Sequence, residues 1–502
     1  MAHEAGRDVR STVGVALSAI VLAGALGVGC GGGDDPGAGL PGAGNGGAGG
    51  GTAHAGTGPN ANARAGGGLD NGASTGTTRW SGRVGGALGD VAHNAAADAH
   101  GNVYVAGTFD GTAEVAGVPM TSAGMLDVFV AKYTPSGQAA WVRHFGGAGI
   151  DMVSGLTVDV NDNVWFTGTS SADISLGGPT LNATGGAGIF LGRLDAFGNH
   201  LGSAAFGGAA IGTTTLVNVD AGGNIILAGT YQSSITFGTT VLPEAAGSYD
   251  LFVTKFDPQG AVVFARALGG SGVDSMQGLA LDSAGNIVIA GSFTGTADFG
   301  TGPLQSLGSL DAFVATIGAA GTTLYAARFG GLESDIARGV AVDAQGNVLV
   351  AGTFGASVDF GGGPTKSNGN GDLFVTKRTP SLTHTWTKTY GGAGEDQAMA
   401  VANDSAGNVV VAGFFEGAMQ VGATPFRSEG ERDAFVLKIG PTGQNLFSKH
   451  FGAKEDDEAA AIAVDGFGRV IVGGSFRTSV DFGAGSQTSA GESDVFLATF
   501  DP

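Results

Sequence analysis

The chain of 502 residues lacks several features on which many folds depend. It has a single cysteine, Cys30, so no disulfide can form within one chain and stability has to come from a packed core. It has 23 Lys and Arg against 44 Asp and Glu, a net charge of −21. This acidic balance argues against contact with nucleic acid or with an anionic membrane surface. No stretch has a convincing helical period of apolar residues, which disfavours a helical fold.

The residue types that usually carry catalysis form no motif. The histidines are scattered, and there is no His-x-x-x-His pair, phosphate-binding loop or nucleophile elbow. An acidic loop face can still contain two carboxylates at the separation that polysaccharide hydrolysis needs. The sequence therefore predicts a protein without catalytic activity or an organic cofactor, and an extracellular hydrolase or lyase is the alternative.

What the chain does contain is one unit of about sixty residues, repeated seven times from about residue 80 onward. Each unit carries an Asp-x-x-Gly-Asn type of turn, and successive turns begin 61 or 62 residues apart. A period of this length is typical of propellers, solenoids and arrays. The seven turns span Asp98–Asn102, Asp159–Asn163, Asp220–Asn224, Asp282–Asn286, Asp343–Asn347, Asp404–Asn408 and Asp465–Arg469.

Each unit reads as four short antiparallel strands. Asp and Gly in the turn predict a β-hairpin, because the Asp side chain accepts hydrogen bonds from nearby backbone N–H groups and Gly adopts positive φ at little cost. In the second unit Asp162 replaces the Gly, which the left-handed region tolerates. The strand after the turn, for example Asn286–Phe293, is apolar on both faces and is expected to be buried on both. Seven such units predict an all-β fold, a seven-bladed β-propeller.

The two ends of the repeat region predict how the ring closes. Units end in an aromatic strand with a Gly pair, as in Trp141–Gly147, whereas the seventh unit stops at Phe500–Pro502. The missing copy of this strand, Trp80–Gly86, stands before the first unit. We therefore expect the N-terminal strand to complete the last blade, with the propeller domain spanning residues 79–502.

Residues 1–29 have the pattern of a signal peptide. Arg7 and Arg10 precede an apolar run, Val13–Gly29, that ends at Cys30. The position of Cys30 resembles the lipobox of bacterial lipoproteins and implies lipidation at that residue. An uncleaved membrane anchor and an ordinary secreted chain are the alternatives. Residues 30–78 are rich in Gly and Ala and are expected to form a flexible tether. The expectation is an exported, monomeric protein at the outer membrane or cell surface that touches the membrane through its lipid anchor alone.

Two aspartates recur on the face opposite the turns, called here the loop face. One opens each blade and the other precedes each third strand, and Gly212 and Gly188 are the exceptions at one shared junction. Joint loss at one junction indicates that the two aspartates work as a pair. They are candidates either for calcium ligands or for caps that accept backbone N–H bonds, and use in six units favours caps. The opening residues are Asp90, Asp151, Asp274, Asp335, Asp396 and Asp457, and the third-strand residues are Asp127, Asp250, Asp311, Asp372, Asp433 and Asp494.

The loop face gains further acids in some units. Glu333, Glu395 and the run Glu455, Asp456, Asp457 and Glu458 form what we call the acidic arc. Such a run is usually a solvated loop, but its confinement to a few blades makes it the candidate docking site for a protein or glycan partner.

Several spaced motifs together resemble a known family. Gly269–Gly300 and Gly330–Phe354 follow the pattern GGxGxD, VAVDxxGNVxVAGTF and DFG, with DxFVxK later in the unit. The pattern resembles the SBBP-type β-propeller repeats of bacterial surface proteins. The resemblance implies a propeller on an exported, surface-associated protein and implies no catalytic residues. The expected function is a non-enzymatic binding or scaffold module for a surface protein, glycan or matrix partner, and a bare structural spacer is a further alternative.

Overall fold

The computed structural model describes residues 76–182, 187–208, 210, 213–422 and 425–502. The predicted signal peptide, Cys30 and nearly all of the predicted tether lie outside the described residues. Within them the regular structure is β-strand, and none of their segments forms a helix long and apolar enough to cross a membrane.

The strands are numbered in chain order. The first is β1 (Thr78–Gly86), and the first repeat follows with β2 (Val91–Ala97), β3 (Val103–Val115), β4 (Val118–Tyr133) and β5 (Ala139–Gly147). The second repeat contains β6 (Asp151–Val158), β7 (Val164–Ser170), β8 (Ile174–Ser175), β9 (Gly188–Leu194) and β10 (His200–Phe206). The third contains β11 (Thr215–Val219), β12 (Ile225–Tyr231), β13 (Ile235–Phe237), β14 (Thr240–Leu242), β15 (Asp250–Phe256) and β16 (Val262–Gly270).

The fourth repeat contains β17 (Asp274–Leu281), β18 (Ile287–Phe293), β19 (Thr296–Asp298), β20 (Pro303–Gln305), β21 (Asp311–Ile317) and β22 (Thr323–Phe329). The fifth contains β23 (Ile336–Val342), β24 (Val348–Phe354), β25 (Ser357–Asp359), β26 (Pro364–Lys366), β27 (Asp372–Arg378) and β28 (His384–Tyr390). The sixth contains β29 (Asp396–Asn403), β30 (Val409–Met419), β31 (Phe426–Ile439) and β32 (Asn445–Phe451). The seventh contains β33 (Glu458–Val464), β34 (Val470–Phe476), β35 (Ser479–Asp481), β36 (Ser486–Thr488) and β37 (Asp494–Phe500).

Four long strands of each repeat pair in sequence order into an antiparallel sheet, which confirms the predicted all-β repeat. In the fourth repeat the order is β17, β18, β21 and β22, and the short β19 and β20 form a separate hairpin. In the seventh repeat β33, β34 and β37 are followed by β1, which pairs antiparallel with β37 so that Ser81 lies opposite Ala498. The fold is a β-propeller type of arrangement, in which such sheets are repeated radially.

The core lies between neighbouring sheets. All seven residues of β18 and of β21 are buried, which confirms that the strand after the turn is covered on both faces. Sheets of adjacent repeats share these contacts: Val105 of β3 packs in one cluster with Ile471 of β34 and Leu497 of β37. Burying a Val, Leu or Ile side chain contributes about 1.5–3 kcal/mol, so the interfaces between sheets hold most of the stabilising area.

The first strands of successive repeats contact one another in series. The contacts run from β2 to β6, β11, β17, β23, β29 and β33, and β33 in turn contacts β2. The series of contacts thus ends at the strand at which it begins.

The turns have the predicted chemistry. Asp282 Oδ1 accepts the backbone N–H groups of Ala284 at 2.9 Å and Asn286 at 2.8 Å, and Asn286 Nδ2 donates to Asp282 Oδ2 at 2.7 Å. Gly285 has φ of 77° and Asp162 has φ of 60°, so both occupy the left-handed region as expected. A side chain that satisfies the backbone of its own turn holds the hairpin without help from neighbouring repeats.

Candidate functional site

The recurrent aspartates of the loop face meet in pairs at the junctions between repeats. A parallel bridge joins Tyr249 to Val273, the residues directly before Asp250 and Asp274. Both carboxylates also lie beside Gly269. The aspartate that opens one repeat is therefore the neighbour of the third-strand aspartate of the preceding repeat. Of the two exceptions, Gly188 begins β9, and Gly212 lies outside the described residues.

Each opening aspartate accepts a backbone N–H from the link that precedes it. Asp274 Oδ2 accepts the N–H of Gly270 at 2.7 Å, and the equivalent bonds at the other five junctions measure 2.7–2.8 Å. Each third-strand aspartate accepts an N–H from the loop before it: Ala246 donates to Asp250 Oδ2 at 2.9 Å, and the other five bonds measure 2.9–3.3 Å. The two carboxylates thus hydrogen-bond the backbone of the two loop segments at a junction and hold these segments in place.

Burial dominates the electrostatics of these pairs. The twelve side chains are at most 6% exposed. Desolvation raises the pKa of Asp90 to about 8, that of Asp151 to about 6 and that of Asp274 to about 7. The neighbouring carboxylate raises the pKa further, as Asp250 does for Asp274. Burial likewise raises the pKa of Asp127, Asp250 and Asp372, and that of Asp335, Asp396 and Asp457 to about 7 in each case.

Several of these carboxylates keep one oxygen without a hydrogen-bond partner, among them Oδ1 of Asp250 and of Asp274. Calcium prefers six to eight oxygen ligands, whereas a junction offers two carboxylates. The described residues contain one group of three acidic or histidine side chains close enough to share an ion, Asp98, His100 and Asp162, and it lies at the turns. Asp98 is already engaged there, because Asn102 and Tyr104 donate to its Oδ2. The choice between calcium ligands and backbone caps is untested, and caps stay the prediction.

The Gly pairs have an explanation that sequence reasoning missed. A Cβ on Gly330 would clash with the carboxylate of Asp311, and a Cβ on Gly331 would clash with the carbonyl oxygen of Ser357 in the next repeat. At other junctions the second Gly pairs with the next repeat directly, as Gly270 does with Ala297. Glycine is therefore required because a buried carboxylate packs against the first residue of the pair and the backbone of the next repeat packs against the second.

The run Glu455–Glu458 is not the uniform solvated loop that the sequence predicts. Glu455 is exposed, whereas Asp457 is 1% exposed and accepts N–H groups from Ala453 and Arg477. Glu458 begins β33 and forms an ion pair with Arg432 at 3.0 Å. The four residues differ in exposure because Asp457 is the opening aspartate of the seventh repeat and Glu458 is the first residue of its first strand.

The acidic arc is partly neutralised from within and is extended by residues that the sequence did not single out. Arg432 bridges Glu458 and Glu395, at 3.0 Å each. Gly430 lies against the backbone of Lys454, which brings the exposed Glu429 and Glu431 beside Glu455. The exposed negative charge of the arc is thus concentrated between the sixth and seventh repeats.

The third-strand lysines are a further missed feature. Lys255 Nζ lies 3.0 Å from Asp220 Oδ2, and both side chains are at most 10% exposed. Equivalent pairs join Lys377 to Asp343 at 2.8 Å and Lys438 to Asp404 at 3.0 Å. In these three units the lysine follows the turn aspartate by 34 or 35 residues, and this spacing is the signal that could have predicted the bridges.

The centre of the molecule holds a cavity of about 330 Å³ that is lined by the first strands. Six of the seven first strands carry a one-residue β-bulge at the same place, and β11 keeps a regular register over its described length. The bulged residue lies three positions after the opening aspartate and lines the cavity in each case. These residues are His93, Ser154, Gln277, Arg338, Met399 and Ala460.

The comparisons with known proteins agree with a repeat fold and leave the activity open. No protein-family model matches the chain, so the resemblance to SBBP repeats stays a prediction. The chain is 22% identical over 457 residues to an uncharacterized WD repeat-containing protein of Acanthamoeba polyphaga mimivirus, covering 79% of this chain and 30% of that protein. It is 28% identical over 228 residues to the regulatory protein FlaEY of Caulobacter vibrioides, covering 43% of this chain and 23% of that protein. The chain thus spans less than a third of the length of either relative.

Among solved structures, the WD40 β-propeller domain of Doa1 is similar with a TM-score of 0.42 and 10% identity. That match covers 83% of this chain and 95% of the domain. A likeness at this level carries no functional argument.

Proposed function

We propose that this chain is an exported, closed seven-bladed β-propeller of the SBBP type that serves as a non-enzymatic binding or scaffold module. Its loop face is the side that meets a protein, glycan or matrix partner. The observation that carries this proposal is the exposed negative charge around Glu429, Glu431 and Glu455 on one part of that face. This charge is confined to one part of the loop face, and a charged patch of this kind steers partners of opposite charge.

The ring closure rests on two contacts. β1 pairs with β37, and β33 contacts β2, and both contacts support closure between the first and last repeats. Deleting residues 1–86 removes β1 and is expected to abolish cooperative unfolding, whereas deleting residues 1–75 is expected to leave the midpoint unchanged. Equal midpoints for both deletions would contradict closure by β1.

The burial of the paired aspartates favours a binding module over a polysaccharide hydrolase or lyase. A catalytic carboxylate has to reach the scissile bond, and the twelve aspartates are at most 6% exposed and accept backbone N–H groups. Burial beneath the loop face raises the pKa of nine of them.

Binding at the arc is tested with a panel of immobilised glycans and matrix proteins. The variant Glu429→Lys/Glu455→Lys is expected to lose affinity by about tenfold or more, because rim charges steer and orient the partner. The control Glu114→Lys/Glu244→Lys changes the net charge equally at exposed sites in the first and third repeats. Equal affinity for both variants, or binding of nothing on the panel by the unchanged protein, would count against the proposal.

Export through a lipid anchor is supported by the apolar run Val13–Gly29 before Cys30. Expression in a bacterial host with labelled palmitate is expected to label the protein, and Cys30→Ser is expected to lose the label. Label retained in Cys30→Ser would contradict lipidation at this residue.

A further inference from the structure

The bulged positions around the central cavity carry a different residue type in each repeat. Six bulges present six different residue types, whereas the opening aspartate three positions earlier is the same residue every time. A β-bulge re-aims a side chain, and bulges recur near functional sites for this reason. The chemistry that lines the cavity therefore differs from repeat to repeat.

Arg338 is the charged member of this ring. The residue is 7% exposed, and its Nε donor has no hydrogen-bond partner. The acids whose charge acts on Arg338, Glu395 and Glu458, are each bound to Arg432 at 3.0 Å. A guanidinium stays protonated even where burial lowers its pKa, so a buried positive charge points to the cavity with an unused donor.

A second unused donor comes from the neighbouring repeat. Gln277 Nε2 is buried without a hydrogen-bond partner, and its strand β17 contacts β23, which carries Arg338. The other polar bulge residues are satisfied internally: His93 Nε2 lies 3.0 Å from Thr108 Oγ1, and Ser154 Oγ donates to the carbonyl oxygen of Thr215 at 2.8 Å. The unused donors are thus confined to two adjacent repeats.

The rest of the lining decides what kind of anion fits. Burial lowers the pKa of His93 to about 4, so this side chain is neutral at pH 7 and adds no second positive charge. In the fourth, fifth and sixth repeats the residue two positions after the bulged one is apolar and lines the cavity, at Leu279, Val340 and Val401. Asn94, Thr157, Thr214 and Asn218 of the first three repeats give the rest of the lining polar groups. A cavity with one cation and an apolar wall in the same repeats suits a molecule with one negative charge and a non-polar body.

We propose that the central cavity binds a small organic monocarboxylate, whose carboxylate is held by Arg338 and Gln277 and whose apolar body lies against Leu279, Val340 and Val401. Arginine matches a carboxylate in a bidentate geometry, and the bond is strengthened where water is excluded. This site uses none of the residues of the loop-face arc, so a test of carboxylate binding is independent of a test of partner binding.

The test is isothermal titration of the full-length protein with benzoate, with benzyl alcohol as the uncharged counterpart and inorganic phosphate as the alternative oxyanion. The proposal expects benzoate to bind and benzyl alcohol and phosphate to bind at least about tenfold more weakly, the usual effect of losing a charged hydrogen bond. No heat of binding from benzoate up to about 10 mM would overturn it, since that lies beyond the millimolar range of weak ligands. Preferential binding of phosphate would overturn the carboxylate assignment.

Two variants locate the site. Arg338→Met is expected to weaken benzoate binding by about tenfold or more, and the fold accepts this side chain because Met399 occupies the same bulge in the next repeat. Lys454→Met removes one exposed positive charge and is the matched control. Gln277→Ala introduces the residue type that Ala460 supplies at the same bulge, and it is expected to weaken binding severalfold should Arg338→Met fail to fold. Benzoate binding that is equal in the unchanged protein and in either cavity variant would overturn the site.

Discussion

Asp274 accepts the backbone N–H of Gly270 at 2.7 Å, across the link that joins the third repeat to the fourth. The same bond returns at five other junctions, and in each the third-strand aspartate of the preceding repeat is the neighbour. One short loop therefore combines a buried carboxylate, a Gly pair and the edge of the next repeat.

Stability is expected to fall as pH rises from about 4 to about 7. Burial raises the pKa of the six opening aspartates, to between about 6 for Asp151 and about 8 for Asp90, so the folded state binds protons that the unfolded state releases. Stabilisation from such a group is complete below its ordinary value of 3.8 and is lost as pH passes the raised value. Each aspartate contributes a slope of up to about 1.4 kcal/mol per pH unit. Urea unfolding between pH 4 and pH 8 measures this slope.

Single substitutions separate the two kinds of aspartate. Asp274→Asn is expected to flatten the decline, because it removes one of the raised groups. At Asp343 burial opposes the charge, but Lys377 and Asn347 outweigh it and hold the pKa below its usual range. The contribution of that group is present above its ordinary pKa of 3.8 and is lost as pH falls below it, so Asp343→Asn is expected to lower stability and to leave the slope between pH 5 and pH 8 unchanged. A slope in Asp274→Asn equal to that of the unchanged protein would refute the assignment.

The second Gly of each pair is expected to be intolerant of a side chain. Gly270→Ala places a Cβ against the carbonyl oxygen of Thr296 and is expected to destabilise by about 2–4 kcal/mol, because backbone has to move. Gly82→Ala in β1 meets nothing within 4 Å and is the control, expected within about 0.5 kcal/mol. Denaturant midpoints compare the two, and a similar loss in both would show that close approach at Gly270 is not the cause.

The buried lysine bridges are expected to matter far more than the surface pairs. Lys255→Met leaves the carboxylate of Asp220 buried without its cation and is expected to cost about 3–5 kcal/mol. Arg79→Met breaks a shorter pair with Asp501, at 2.7 Å, but these side chains are 44% and 31% exposed, so the expected loss is about 1 kcal/mol or less. Adding Asp220→Asn to Lys255→Met should recover part of the loss, and no recovery would speak against an uncompensated charge.

Calcium is expected to leave thermal unfolding unchanged. Each junction supplies two carboxylates, one oxygen of each already accepts a backbone N–H, and calcium requires more oxygens than these. Thermal unfolding in calcium and in excess chelator measures this directly. A ligand at a hundredfold excess over its Kd would stabilise by about 2.7 kcal/mol. A calcium-dependent rise that disappears in Asp335→Asn/Asp311→Asn would refute the cap interpretation and establish metal sites.

The periodic part of the molecule could be predicted from local chemistry. Turn residues such as Asp282 and Gly285 form their contacts within a segment of five residues. The continuous apolar sequences of β18 and β21 indicate that both faces of these strands are buried, as they are. Such features depend on neighbours in sequence, so residue type and spacing are enough to read them. The pairing of two aspartates was predicted as well, because one exceptional junction lacks both.

What the tertiary structure decided depends on contacts between repeats. Gly331 is constrained by Ser357 in the next repeat, and Glu458 is engaged by Arg432 of the preceding repeat rather than by solvent. The bulge that brings Arg338 and Gln277 to the cavity depends on how a first strand pairs with its partner, and one extra residue in that register leaves no mark in the hydrophobic pattern. The sequence by itself determined the repeating strands and turns because those are local. The packing of sheets determined which charged side chains are buried, paired or left with a free donor, because that depends on distances between residues of different repeats.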